Sequence, residues 1–113
     1  MDTGLFSHRE CTQHEMGSWH PECPERLAAI QDHLIAMGID PHLVHLEAPL
    51  ATPAAVRRAH APDYLDQLQA RIPEQGYVAL DPDTRMNPAT WRAALRAARH
   101  VAGFIRVSGS SAT

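Results

Sequence analysis

The side chains best equipped for chemistry crowd the first quarter of the chain. Cys11 and His14 are separated by two residues, and so are His20 and Cys23. Two such pairs resemble the halves of a structural zinc site, in which soft thiolates and neutral imidazoles supply four ligands. Only five residues separate the inner ligands, fewer than in the usual zinc finger, and Pro21 and Pro24 stiffen the second half. Ordinary loop residues are the simpler reading, and a small Cys/His zinc-binding or interaction module is the alternative. A hydrolytic zinc site prefers histidines and carboxylates with one position open for water. Asp40-Pro41-His42 has both residue types, but the intervening proline limits their convergence and the segment reads as a turn. The sequence contains no Gly-x-Ser-x-Gly, phosphate-cradling glycine loop, His-Glu-x-x-His or Cys-x-x-Cys.

Local signals show what would have to position these residues. Thr3 to Ser7 can form a short strand, followed by a polar loop from His8 to Glu22. Pro24 suits the first turn of a helix, where its missing N–H costs nothing. Leu27, Ile30, Leu34 and Met37 recur at helical spacing, and Gly38 is a natural C-terminal stop. His42 to Leu46 alternates weakly as a second strand. Thr52-Pro53 opens a short helix to about His60, and Pro62 opens another with Leu65, Leu68 and Ile72 on one side. Pro73 to Met86 reads as loop. Asn87-Pro88 starts the last helix, with Trp91, Leu95, Ala98, Ala102 and Ile105 along one face. Asp63 falls in a first helical turn, where the dipole favours an acid; His33 lies away from its helix's apolar stripe, and Trp91 is a core candidate. The order suggests one portion of an α/β layer structure, mostly helices with one or two short strands.

Composition narrows the class. At 113 residues one small domain is expected, able to bury roughly 60–70% of its unfolded surface. A hydrophobic share of 44% is ordinary for a globular chain, and 5% aromatic residues imply an aliphatic, alanine-rich core. A net charge of -3 argues against a nucleic-acid binder, which needs a basic face. No stretch approaches the ~18 apolar residues of a membrane span, no basic-then-apolar leader opens the chain, and two cysteines make no disulfide framework. A cytoplasmic protein with no nucleic-acid and no membrane partner is expected.

Three blocks taken together resemble one family. They are the run His14-Glu15-Met16-Gly17-Ser18-Trp19-His20-Pro21-Glu22-Cys23-Pro24-Glu25-Arg26-Leu27, then His60-Ala61-Pro62-Asp63-Tyr64, then Asp81-Pro82-Asp83-Thr84-Arg85-Met86-Asn87-Pro88 leading into Trp91-Arg92-Ala93-Ala94-Leu95. In order and spacing they look like the N-terminal part of the histone deacetylase superfamily, closest to the bacterial acetoin-utilisation-like and class II-like branch. The first block is the most distinctive. The resemblance runs from about Thr3 to His100, and Phe104 to Gly109 departs from it.

That resemblance implies an arginase-like α/β fold and a zinc-dependent hydrolase of acetyl-amide bonds, of acetyl-lysine or acetylpolyamine type. In such enzymes two aspartates and a histidine hold zinc, paired histidines move protons, and a tyrosine often helps hold the oxyanion. This chain has no adjacent His-His pair and no Asp-x-His following one, and Tyr64 and Tyr77 do not match the family's tyrosine. No catalytic and no metal-ligating residue is therefore assigned, and no zinc is expected on this chain although the complete family enzyme carries it. By motif position His20 lies in the first loop of the substrate rim, and Asp81, Asp83 and Asn87 lie in or beside the second. For Asn87 a plain helix cap is an equally good reading. Residues 1–107 are thus expected to form an incomplete deacetylase-like domain, truncated before the catalytic motifs and inactive alone, with 108–113 a disordered tail. Helix faces meant for a missing sheet should stay exposed, with self-association through them, or an adaptor pairing through the Trp91–Ile105 face, as the corollary.

Overall fold

A computed structural model describes residues 2–99 of the chain. Strand β1 (Thr3–Ser7) leads through a 3-10 turn at Arg9–Thr12 and a loop into helix α1 (Glu25–Ala36). A second 3-10 turn, Asp40–His42, precedes strand β2 (Leu43–Glu47). Helices α2 (Pro53–Val56) and α3 (Pro62–Ala70) follow, then strands β3 (Val78–Ala79) and β4 (Arg85–Met86). A last helix, α4, occupies 90–99.

Strands β1 and β2 pair in parallel, from Thr3 opposite Leu43 to Ser7 opposite Glu47. Parallel neighbours need a crossover, and α1 supplies it. The ladder runs one step further through the Ala48 N–H, which donates to the Ser7 carbonyl at 2.9 Å. Leu46 lies tightly over Gly4, where a β-carbon would stand 3.1 Å from its Cδ1.

Local chemistry sets the helix ends. Gly38 takes φ +72°, and with it the Gly38 and Ile39 N–H groups donate to the Ile35 and Leu34 carbonyls at 3.0 and 2.9 Å. This is the paired closure that satisfies the orphan carbonyls of a helix end. The Thr52 hydroxyl accepts from the Ala55 N–H at 3.2 Å, as the cap expectation required. Helix α2 nonetheless stops at Val56 and continues as turns rather than helix to His60. Asp63 stands in the first turn of α3, and the rings of His60 and Tyr64 stack with centroids 6.2 Å apart.

Two departures concern segments expected to be plain loop. Within 8–22 the chain closes a 3-10 turn, with the His8 ring accepting from the Glu10 N–H at 3.0 Å. Within 73–86 it forms an antiparallel hairpin, Val78 opposite Met86 and Ala79 opposite Arg85. Two-residue strands carry too little alternation to be seen as a pattern. Ala102, Ile105 and the tail 108–113 lie outside the described residues.

Small side chains and methionines make up the buried set among the described residues: Met16, Ala48, Ala51, Met86 and Ala93. No large side chain among them is fully buried. The apolar stripe of α1 forms in phase but stays open, with Leu27 at 40% and Ile30 at 51% exposure. Two parallel strands are too narrow a platform to cover a three-turn helix; parallel sheets need cover on both faces. A cleft of about 660 Å³ consequently lies between β1, α1 and α4, walled by Leu5, Leu27, Ile30, Leu34, Ala93 and Ala97. Trp91 is half-buried rather than central, and His33 is exposed as expected.

Polar bonds hold α4 against the rest. Glu10 receives the Nε–H of Arg92 at 2.8 Å on one oxygen and that of Arg96 at 2.7 Å on the other. These two guanidiniums, Arg96 first, pull the Glu10 carboxyl down to about 2. Arg96 also donates to the Ala48 carbonyl at 2.7 Å, and the Ala51 N–H donates to the Leu95 carbonyl at 3.0 Å. Among the described residues no helix is long and apolar enough to cross a membrane.

Candidate substrate-rim site

The two segments singled out by motif lie side by side. The first, 13–20, turns sharply at its end: the His20 N–H donates to the Gly17 carbonyl at 3.3 Å. Gly17 takes φ +110°, a value that favours glycine, and Trp19 takes φ +68°. Position three of a turn with positive φ normally holds glycine or asparagine, so a tryptophan there is strained. His20 is half-buried, and its Nδ1 accepts from the Glu22 N–H at 3.0 Å. An accepting Nδ1 leaves the ring proton of the neutral form on Nε2.

The second segment is the tip of the β3–β4 hairpin. Leu80 closes it by donating to the Thr84 carbonyl at 2.8 Å. One oxygen of Asp81 accepts from the N–H groups of Asp83 at 2.8 Å and Thr84 at 2.7 Å. The Asp83 and Thr84 bonds hold the Asp81 carboxyl below its usual value. Asp81 is thus committed to shaping the turn, whereas Asp83 is exposed at the tip. The Arg71 guanidinium braces the hairpin from the end of α3 by donating to the Ala79 carbonyl at 2.8 Å.

Asn87 joins the two segments. Its Nδ2 donates to the Gln13 carbonyl at 2.9 Å. Its Oδ1 accepts from the Ala89 N–H at 3.1 Å and the Thr90 hydroxyl at 2.9 Å, and its own N–H donates to Thr90 Oγ1 at 2.9 Å. This reciprocal pattern is a capping box in asparagine–threonine form. Thr90 also meets His14 Nδ1 at 2.8 Å. A hydroxyl has one hydrogen, already given to Asn87, so His14 Nδ1 is the donor. Further along, a β-carbon at Gly17 would stand 3.1 Å from Arg85 Nη1. The neighbouring Glu15 carboxylate pushes the pKa of the Tyr77 hydroxyl up.

Of the four residues assigned by motif, Asn87 and one oxygen of Asp81 are spent on the fold, while Asp83 is exposed and His20 half-buried. The contacts that join the segments, Glu15 to Tyr77 and Gly17 to Arg85, carry no spacing signal. The placement of Trp19 carries none either, although the preceding Gly17-Ser18 hints at a turn. Among the described residues no three of His, Cys, Asp and Glu gather to hold a metal ion. His14 is engaged by Thr90 and His20 by Glu22, and both cysteines are free thiols. Cys11, His14, His20 and Cys23 are thus not gathered into a set of ligands among the described residues.

Comparison with known proteins gives the family and the fold. A family model described as the histone deacetylase domain matches residues 20–107. The chain belongs to the histone deacetylase family. This deacetylase-family chain is 35% identical over 96 residues to the uncharacterized protein slr0245 of Synechocystis sp., a match that covers 80% of the chain and 30% of that protein. It is similar in structure to the HDA15 HD domain, with a TM-score of 0.78 at 25% identity over 87% of the chain and 29% of the solved one. The α/β arrangement is accordingly a portion of the deacetylase fold. The chain spans less than a third of the length of either relative. The family is generally zinc-dependent.

Proposed function

We propose that this chain builds an outer flank and part of the substrate rim of a zinc-dependent deacetylase acting on acetyl-lysine or acetylpolyamine-type amides, and that by itself it does not turn substrate over. The observation that carries the reading is the union of the two rim segments through Asn87, Gln13, Gly17 and Arg85. On this reading His20 Nε2 and the Asp83 carboxylate are the groups offered to substrate, and Asp81 and Asn87 position them. Catalysis requires a Lewis acid, a general base and a donor to the oxyanion. The described residues supply none of the three as a set, so the zinc chemistry belongs to parts of a domain that the relatives have in addition.

The test is hydrolysis of a fluorogenic acetyl-lysine substrate with added zinc. The expected result is no turnover by the 113-residue chain, and turnover when its counterpart region in the Synechocystis relative is replaced by this sequence. Zinc-dependent hydrolysis by the chain alone would overturn the inactive reading. A correctly folded chimaera without activity would overturn the deacetylase reading.

A further inference from the structure

We draw no further inference here: the strongest candidate, the apolar cleft between β1, α1 and α4 that Cys11 and Cys23 both line, is an unpartnered face, and in a chain spanning less than a third of either relative nothing in the structure shows what covers it.

Discussion

Replacing Asn87 tests whether this side chain is the joint between the 13–20 segment and the β3–β4 hairpin. Alanine there removes the cap of α4 together with the bond to the Gln13 carbonyl at 2.9 Å. Loss of an asparagine cap typically costs ~1 kcal/mol. The Gln13 bond is solvent-exposed, so about 0.5–1 kcal/mol is reasonable for it. Asn87→Ala should therefore destabilise the chain by about 1.5–2 kcal/mol. Asn87→Asp keeps the Oδ1 acceptor, and aspartate caps as well as asparagine. It loses the donor to Gln13 and turns an oxygen toward that carbonyl, so about 1 kcal/mol should remain lost. The expected order of stability is wild type, then aspartate, then alanine. Thr90→Val should be markedly non-additive with Asn87→Ala, because the Thr90 hydroxyl serves Asn87 twice and His14 once. Urea unfolding followed by far-UV circular dichroism measures all of these at comparable slope. An alanine variant within ~0.5 kcal/mol of wild type, the range of an ordinary surface substitution, would refute the claim that Asn87 is the joint between the two segments.

Other outcomes follow from the same geometry. Glu10 is held at about 2 by Arg96 and Arg92, against an ordinary 4.5. A depressed carboxyl contributes stability that is fully present above its unfolded value and lost as pH falls through the folded one. Wild type should therefore weaken between pH 4.5 and about 2, and Glu10→Gln should show a shallower acid slope in pH-dependent urea melts. Gly17→Ala should destabilise by about 1–3 kcal/mol in the same melts, the usual range for a side chain in a disfavoured backbone region, because φ is +110° and the new methyl meets Arg85. Trp19→Gly should stabilise by about 0.5–1 kcal/mol, the relieved left-handed strain less the entropy of glycine; a loss of stability would mean the indole makes contacts the geometry denies. Ile30 is 51% exposed, so Ile30→Ser should lower the binding of an apolar-surface dye. Its stability cost should stay below about 1 kcal/mol, well short of the ~2–5 of a buried isoleucine truncation.

Elements whose ends rest on neighbours in sequence are legible in the residues themselves. Gly38 as the stop of α1, Thr52 and Pro53 opening α2, Pro62 opening α3 and the Asn87-Pro88 start of the last helix all depend on bonds spanning a few residues. The strand at Thr3–Ser7 is likewise visible, because a short apolar run precedes a polar loop. The blocks at 14–27 and 81–95 are distant in sequence, and the structure brings their loops together. It divides the labour among their residues in a way spacing could not. Whether a carboxylate faces outward, as at Asp83, or folds back on its own turn, as at Asp81, depends on backbone angles of the next two residues.

The sequence by itself determined which stretches are helical, where they begin, where α1 stops, which face of α1 is apolar and which family the chain belongs to. A period of 3.6 residues says which side chains share a face; it does not say whether anything lies against it. Only the tertiary structure decided that Leu27 and Ile30 remain open over a cleft, because cover depends on partners distant in sequence. The same reason hides the bond of Glu10 to Arg96, or of Gln13 to Asn87: a link across more than 70 residues leaves no local trace in the chain, and exists only when the intervening elements have packed.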